Sequence, residues 1–388
     1  MGNKLFVFNG ASFESELRTP GANSSNSSDD PLGLSACLLP LGSSGDRVLV
    51  DRSIPGEFLQ VLQNTGLSFA LPIPRGNPLP PRIEHLVPWG ASVSMSRLAS
   101  SLGLSFFAPD LKVVCWANSK QTSHQLESEF DRVPDGSRLI TSTEEAHKAL
   151  QDAPHDNPQN PFLWVFKSVL GVAGRDRSLG RGRKLLPTTR KWIETALRRD
   201  SLLLFEPWVD VEREFSVQME IALDPETSDP KVQLLGTTEL LTGTDGRYLG
   251  NRVGSLLPVP QSTRLHQVAH QVGCRLASRG YWGPVGIDAF LSRKAEETNL
   301  RPLVEINARF TMGRVALQMI PLLPPSGIGT WILTPSNRSI SLPPYDPNTR
   351  IGLLACSPET TAKKQRQALF FSAQNPQDLA EAEKILLP

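Results

Sequence analysis

Charged side chains interrupt two short apolar segments in the second half of the chain, "GPVGIDAFL" (283–291) and "PLVEINARF" (302–310), and this pattern narrows the possible folds. The polar interval "SRKAEETNLR" (292–301) separates the two segments. Apolar runs of this length around a polar connection predict two β-strands joined as a hairpin. Side chains two residues apart share one face of a strand, so Glu305 and Asn307 are predicted to point the same way.

Asp288 lies on the neighbouring strand of this predicted hairpin and can face the same side as Glu305 and Asn307. Two carboxylates and an amide oxygen form a site suited to Mg²⁺, which proteins usually bind through one or two carboxylates together with substrate phosphates. Arg309 continues the alternation and can reach those phosphates. The alternative is a pair of half-exposed strands whose acidic side chains are simply solvated.

The segment "VFKSVLGVAGRDRSLGRG" (165–182) is an apolar strand followed by a glycine-rich, basic loop. Lys167 at the strand end can act as a point charge for a phosphate. Gly171 and Gly174 allow backbone N–H groups to approach one closely. The segment has neither a Walker A motif nor GxGxxG, so a solvated flexible loop is the alternative. Aromatic residues do not interleave with its basic residues, so nucleic-acid binding is not predicted.

A third segment, "FEPWVDVEREFSV" (205–217), reads as two strands around a polar corner. Glu206, Trp208 and Val209 lie where the strands meet, and Glu214 follows the corner. Extended backbone can offer N–H and C=O groups to the edge of an adenine, and a carboxylate can hold ribose hydroxyls. An ordinary hairpin with surface acids is the alternative.

With 388 residues the chain is too long for one simple core and suggests two or three lobes. Strand and helix patterns alternate through about residue 150, which indicates an α/β fold. Within this part, residues 19–33 are predicted to be a polar loop, residues 112–118 a strand or turn, and residues 119–130 a helix. The last 70 or so residues are rich in proline, with one predicted helix at Asp378–Leu387.

Composition limits the partners and the compartment. The chain has 40 basic and 39 acidic residues, so no global attraction to nucleic acid or anionic membrane is expected. No apolar run approaches the roughly 18 residues that span a bilayer, and the amino-terminal "MGNKLFVFNG" does not resemble a signal peptide. The four cysteines are scattered without a CxxC pair, which favours a reduced, cytoplasmic location over disulfides or zinc.

The order of these segments, with Lys120 ahead of them, resembles that of the ATP-grasp superfamily over residues 118–314, about half of the chain. The resemblance is to carboxylate–amine ligases such as D-alanine–D-alanine ligase, and "EINARF" is also similar to carbamoyl phosphate synthetase and biotin carboxylase. It implies an α/β ATP-grasp fold in four parts. These are a pre-ATP-grasp α/β domain (1–117), a small lobe with a glycine-rich lid (118–200), a large lobe with the metal site (201–330) and a carboxy-terminal extension (331–388).

The resemblance also implies roles for individual residues. The nucleotide contacts for phosphates, adenine and ribose would be Lys120, Lys167, Gly171, Gly174, Glu206, Trp208, Val209 and Glu214, with Glu212 as a competitor of Glu214. The metal ligands would be Asp288, Glu305 and Asn307, and the catalytic cations Lys167, Arg309 and Arg314. The sequence departs from D-alanine ligases at Gly286, where those enzymes usually carry arginine.

The activity implied by the resemblance is ATP-dependent activation of a carboxylate as an acylphosphate, which an amine then captures. ATP and two Mg²⁺ ions, or Mn²⁺, would be required. The partners would be small-molecule carboxylate and amine substrates, and amino-acid addition in cofactor biosynthesis is one such reaction. A homodimer is compatible with this activity. The alternatives are an ATP-grasp carboxylase that uses bicarbonate and a non-catalytic nucleotide-binding protein.

Overall fold

The computed structural model describes residues 2–19, 33–152, 161–171, 176–224, 226–227, 229–243, 246–254, 257–294, 297–335, 338–359 and 365–387. Within these ranges the strands form three sheets of five, four and eight strands. The predicted polar loop at residues 19–33 falls almost entirely outside them. In the same ranges, no helix combines the length and the apolar character needed to cross a membrane.

The amino-terminal sheet is parallel, with strand order β3-β2-β1-β4-β5. Its strands are β1 (Asn3–Val7), β2 (Arg47–Val50), β3 (Leu71–Pro74), β4 (Ile83–Pro88) and β5 (Ser105–Phe106). Helices α1 (Gly10–Arg18), α2 (Gly56–Asn64) and α3 (Val93–Ser101) and a 3₁₀ helix (Ser35–Leu41) belong to the same region. Parallel strands need crossover connections, which explains the predicted alternation of strands and helices.

Two helices follow the parallel sheet, α4 (Leu111–Ala117) and α5 (Lys120–Phe130). The prediction of a strand or turn at residues 112–118 is therefore wrong. Asp110 caps α4 by accepting a hydrogen bond from the backbone N–H of Lys112, and this local bond starts a helix in spite of its β-branched valines. The predicted helix at residues 119–130 is confirmed, with Ser119 as its N-cap.

The four-stranded sheet has the order β6-β9-β7-β8 and is antiparallel. Its strands are β6 (Arg138–Ile140), β7 (Leu163–Ser168), β8 (Arg177–Arg181) and β9 (Leu203–Pro207), with helices α6 (Thr143–Gln151) and α7 (Pro187–Asp200). Trp164, Phe166 and Phe205 fill the core of this lobe. Residues 177–181 were predicted to be loop, but they pair with β7 as a strand.

The eight-stranded sheet is antiparallel, in the order β14-β13-β10-β11-β12-β15-β17-β16. Its strands are β10 (Val211–Leu223), β11 (Pro230–Thr242), β12 (Tyr248–Val253), β13 (Gly283–Lys294), β14 (Glu297–Asn307), β15 (Ile328–Pro335), β16 (Gly352–Ala355) and β17 (Arg366–Ala373). The accompanying helices are α8 (Val259–Ser278), α9 (Met312–Leu317) and α10 (Pro376–Leu386). One face of α8 buries four apolar side chains completely, Leu265, Val268, Val272 and Leu276.

The predicted hairpin near residue 300 is confirmed, because β13 pairs antiparallel with β14 and Asp288 lies opposite Glu305. Both strands are longer than expected and extend into the polar interval at residues 292–301. The proline-rich description of the last residues missed three strands, β15 to β17, although the terminal helix is present as α10. The proposed boundary between residues 330 and 331 falls inside β15, and the division into four parts stays a prediction.

Helix α5 covers the outer edge of β14. The hydroxyl of Ser123 accepts a hydrogen bond of 3.1 Å from the backbone N–H of Ile306. The side-chain oxygen of Asn118, which precedes α5, accepts one of 3.0 Å from the N–H of Ala308. Side chains thus bond backbone groups that a neighbouring strand would otherwise bond.

Candidate functional site

A cavity of about 350 Å³ lies between the four-stranded and the eight-stranded sheets. The sequence-predicted residues that line it are Lys120, Lys167, Glu206, Trp208, Val209, Glu214, Asp288, Glu305, Asn307 and Arg309. A larger cavity of about 630 Å³ lies against α6 and residues 183–185, and no predicted site residue lines it. The smaller cavity is therefore the candidate site, because the chemically active side chains converge there.

The acidic end of the cavity is built by two neighbouring strands, β13 and β14. Asp288 accepts hydrogen bonds from the Ser216 hydroxyl at 2.8 Å and from the Asn307 amide nitrogen at 2.9 Å. Burial and the adjacent Glu305 raise the pKa of Asp288 to about 7. Two carboxylates held this close repel each other unless a proton or a cation lies between them, so the pair suits a divalent cation.

Lys120 contributes the first positive charge at this end. Its ammonium lies 2.7 Å from the Glu305 carboxylate. Burial opposes ionisation of Glu305, but Lys120 prevails and lowers the pKa of that carboxyl. Among the described residues, no group of three or more His, Cys, Asp and Glu side chains could hold a metal. Asp288, Glu305 and Asn307 offer two carboxylates and an amide, a combination that fits a cation which also uses phosphate oxygens.

Lys167 and Glu206 form a second ion pair, on the side of the cavity that the four-stranded sheet lines. The lysine is the second-last residue of β7, the glutamate lies on the adjacent β9, and their charged atoms are 2.5 Å apart. Glu206 is buried, yet Lys167 and Arg301 lower the pKa of its carboxyl to about 2. A buried carboxylate stays ionised only when cations pair with it, and here two cations do so.

Arg301 also lines the cavity, and no sequence pattern predicts a role for it. It lies on β14 and donates to both oxygens of Glu127 on α5, at 2.6 and 2.7 Å. Its Nη2 also donates to Glu206 at 2.5 Å. The sequence predicts a polar connection at Arg301, but β14 is longer than expected and carries this residue to the cavity.

The segment between β9 and β10 forms a further wall. Trp208 and Val209 line the cavity, and the guanidinium of Arg177 lies 5.6 Å from the centre of the Trp208 ring. Glu214 lines the cavity and accepts a hydrogen bond of 2.9 Å from the hydroxyl of Thr242. Glu212 instead pairs with Arg293, so of the two glutamates only Glu214 lies at the cavity.

The predicted catalytic arginines differ in position. Arg309 lines the cavity and pairs with Glu14 on α1 at 3.0 Å. Arg314 pairs with Glu220 at 3.2 Å and does not line the cavity, although its neighbour Gly313 does. The structure therefore does not bring Arg314 together with the other site residues.

Of the two predicted phosphate-binding glycines, Gly171 does not line the cavity. Gly171 lies beside the guanidinium of Arg18, which donates to the carbonyl of Leu170. Gly174 lies outside the described residues.

Gly286 leaves no room for the arginine that D-alanine ligases usually carry at this position. A Cβ atom added to Gly286 would lie 2.7 Å from the Thr311 methyl carbon and 3.3 Å from the Gln218 side-chain nitrogen. Thr311 donates to Gln218 at 2.7 Å, and Gln218 donates to Ser216 at 2.8 Å. This chain of hydrogen bonds, which ends on Asp288, occupies the space instead.

Several solved structures share this architecture. The biotin carboxylase of Campylobacter jejuni, in complex with β,γ-ATP, has a TM-score of 0.59 at 13% identity, over 100% of this chain and 91% of that chain. The biotin carboxylase domain dimer of Hydrogenobacter thermophilus 2-oxoglutarate carboxylase, with MgADP, ADP and bicarbonate, has a TM-score of 0.58 at 14% identity, over 100% and 90%. The N5-carboxyaminoimidazole synthetase of Staphylococcus aureus, complexed with ADP, has a TM-score of 0.55 at 11% identity, over 99% and 96%.

No protein-family model matches the sequence, and no curated protein matches it. At the identities above, the likeness concerns the fold alone. It spans almost all of this chain, including the parallel amino-terminal sheet and the carboxy-terminal strands. The predicted ATP-grasp fold is confirmed, and the protein has the fold of the biotin carboxylase type of ATP-grasp enzyme.

Proposed function

We propose that the protein is an ATP-dependent ligase that phosphorylates a substrate carboxylate and joins the activated acid to an amine. The observation that carries the proposal is that the carboxylate pair Asp288 and Glu305 shares one cavity with Lys120 and Lys167. Acidic cation ligands beside two ammonium groups suit a triphosphate that is bound together with Mg²⁺.

The proposed reaction has two steps. A carboxylate oxygen of the substrate attacks the γ-phosphorus of ATP, so that a new O–P bond forms while the bond to the β,γ-bridging oxygen breaks and ADP leaves. The amine then attacks the carbonyl carbon of the acylphosphate. A C–N bond forms, the C–O bond to phosphate breaks, and the amine loses a proton to phosphate or solvent. The products are an amide, ADP and phosphate.

In this proposal the side chains of the cavity bind and neutralise the reactants. Lys120 and Lys167 hold phosphate oxygens, and Arg309 faces the phosphoryl group that is transferred. These cations stabilise the charge that develops when two anions are brought together. None of them needs to act as a nucleophile.

The remaining predicted residues bind the nucleoside and the cation. Glu206, Trp208 and Val209 lie along the base, and Glu214 holds the ribose hydroxyls. The acidic end of the cavity would hold the divalent cations, two Mg²⁺ ions or Mn²⁺, with Asp288, Glu305 and Asn307 as ligands. When bound, they neutralise phosphate charge.

The substrates in this proposal are a small-molecule carboxylate and a small-molecule amine, and amino-acid addition in cofactor biosynthesis is one such reaction. A homodimer is part of the proposal, since the Hydrogenobacter structure is of a dimer. Light scattering on the purified protein measures the assembly.

The test is to incubate the protein with Mg·ATP and pools of carboxylic acids and amines and to measure ADP release. We expect ADP only when both an acid and an amine are present. With an acid labelled by ¹⁸O in its carboxylate, one labelled oxygen should appear in the released phosphate. Phosphate without label would contradict the acylphosphate step.

Glu305→Gln tests the proposed cation site in the same assay, because a neutral amide binds a divalent cation more weakly than a carboxylate does. ADP release should fall by at least about 1,000-fold, while the thermal midpoint remains close to that of the unaltered protein. The exposed Glu381 on α10 provides the control substitution Glu381→Gln, which should leave the rate unchanged. Full activity of Glu305→Gln would overturn the cation assignment.

A second candidate function is carboxylation with bicarbonate in place of an organic acid. The similar solved structures with TM-scores above 0.5 favour it, since they include biotin carboxylases and an N5-carboxyaminoimidazole synthetase. ADP release that requires only bicarbonate and an acceptor, with ¹⁸O passing from bicarbonate to phosphate, would establish it. Tight ATP binding without ADP release from any pool would instead support a non-catalytic nucleotide-binding protein.

A further inference from the structure

The hydrogen bonds of Arg301 leave part of its guanidinium unused. The group carries five N–H donors. Nε donates to Glu127, and Nη2 donates to Glu127 and Glu206, so these two nitrogens are fully used. Nη1, with two N–H groups, has no hydrogen-bond partner in the described part of the chain, and it is not among the fully buried unpartnered atoms there.

The planar shape of the guanidinium fixes where these two donors lie. Glu127 occupies the edge formed by Nε and Nη2 in a bidentate pair, so Nη1 points away from that carboxylate. Arg301 lines the cavity, and its side chain is only 11% exposed. Two donors are therefore held in place next to the cavity, with little freedom to turn to bulk solvent.

The residues around Arg301 are suited to binding a flat, largely apolar group. Its guanidinium lies 5.6 Å from the centre of the Phe290 ring. Val165 from β7, Phe290 from β13 and Val304 from β14 also line the cavity. This end of the cavity offers apolar contacts to a planar ring and hydrogen bonds at its rim.

Glu206 is less available to that ligand than its charge suggests. One of its oxygens accepts from Lys167 and the other from Arg301, each at 2.5 Å. The two N–H groups of Arg301 Nη1 remain uncommitted beside this carboxylate, so a ligand bound next to the arginine should present an acceptor to them.

We infer that Arg301 is a specificity-determining residue whose Nη1 donates to N7 of a purine base bound at this end of the cavity. The inference rests on the proposed binding of a nucleotide. N7 is an acceptor on the outer edge of both adenine and guanine. Arg301 thereby selects purines, and its bonds to Glu127 and Glu206 hold the donor in position before the nucleotide arrives.

The test compares the binding of Mg·ATP with that of Mg·7-deaza-ATP, which has a C–H group in place of N7. Isothermal titration calorimetry measures the dissociation constants without requiring an acid or an amine. The unaltered protein should bind the deaza analogue about tenfold more weakly, the typical effect of a hydrogen bond to a charged group. In Arg301→Lys, whose single ammonium is drawn between the two carboxylates, the two dissociation constants should become nearly equal.

Matched variants separate recognition from a structural role. Arg293→Lys alters another arginine of this hairpin that pairs with a glutamate, Glu212, outside the cavity, and should keep the tenfold ratio. If Arg301→Lys does not fold, the double variant Arg301→Met/Glu127→Gln removes the arginine together with the carboxylate that it binds through two nitrogens. If Arg301 had only a structural role, its loss would weaken the binding of both nucleotides equally and leave the ratio of their dissociation constants unchanged.

Two results would overturn the inference alone while ATP still binds. One is equal dissociation constants for the two nucleotides in the unaltered protein. The other is a tenfold ratio that survives the loss of Arg301, which would assign N7 to another donor such as Lys167. Absence of any ATP binding would instead overturn the proposed function, and this inference with it.

Discussion

The ammonium of Lys120, in the first turn of α5, lies 2.7 Å from the carboxylate of Glu305 on β14. Their side chains are 13% and 23% exposed, so the pair is largely shielded from solvent. A divalent cation at Glu305 would compete with this ammonium for the same oxygen. Lys120 would then be free to contact phosphate, so the binding of the cation and the binding of the nucleotide would be coupled.

Lys120→Met should therefore weaken Mg·ATP binding and reduce kcat/KM for ADP release by about 100-fold or more, because a charge that contacts phosphate is lost. Calorimetry and a coupled ADP assay measure the two effects. Lys112→Met is the matched control, since that side chain is exposed on α4. A Lys120→Met enzyme within about threefold of the unaltered one would rule out this role.

Arg309 and Glu14 should act as a unit. Their side chains are 16% and 13% exposed and 3.0 Å apart, so α1 holds the arginine that lines the cavity. Arg309→Lys and Glu14→Gln should each lower kcat/KM by about tenfold, and the double variant should fall little further, since both changes break the same contact. Steady-state kinetics of the four proteins give the coupling, and fully additive losses would show that Glu14 does not position Arg309.

Glu127 should make stability fall as the pH rises. Its burial, opposed by Arg301, raises the pKa of its carboxyl from the ordinary value of 4.5 to about 7. The folded state then holds a proton that the unfolded state has released, so the stabilisation is complete below about pH 4.5 and is lost as the pH rises through 7. Glu127→Gln cannot titrate, so its loss of unfolding free energy between pH 5 and pH 8 should be smaller by on the order of 1–2 kcal/mol.

Urea unfolding at pH 5 and pH 8 measures this difference. Glu129→Gln, on the same helix, is the control, because Glu129 is 40% exposed and pairs with Arg275 at the surface. It should keep the pH dependence of the unaltered protein. The same slope in Glu127→Gln would show that Glu127 does not carry the effect.

Gly286→Ala should destabilise the protein by about 1–3 kcal/mol, the usual cost of overpacking a filled interior. The new methyl group would lie 2.7 Å from Thr311 and would disturb the hydrogen bonds that support Asp288. Gly56→Ala is the control, since a Cβ at that position meets no atom within 4 Å. Equal midpoints of thermal unfolding for the two variants would contradict the expected crowding.

The acidic end of the cavity could be predicted because it depends on local rules. Alternation along one strand places Glu305 and Asn307 on one face, and the hairpin brings Asp288 opposite Glu305. A local argument also reached Lys167, since it lies near the end of an apolar strand. These relationships are fixed by residues close together in sequence or by one antiparallel pairing.

The partners that complete the site could not be predicted in this way. Glu127 is 174 residues from Arg301, and Glu14 is 295 residues from Arg309. No periodicity links such pairs, because tertiary packing alone brings them together. The prediction at α4 failed for a local reason instead. The N-cap at Asp110 outweighed the strand propensity of Val113 and Val114.

The covering of β14 by Ser123 and Asn118 has a consequence for self-association. β14 is the edge strand of the eight-stranded sheet, and the segment before α5 and its first turns bond its backbone with side chains. If α5 moved away, the unpaired N–H groups of Ile306 and Ala308 would become a template onto which a second molecule could add a strand. The two side-chain acceptors therefore protect this sheet edge against strand addition by a second molecule.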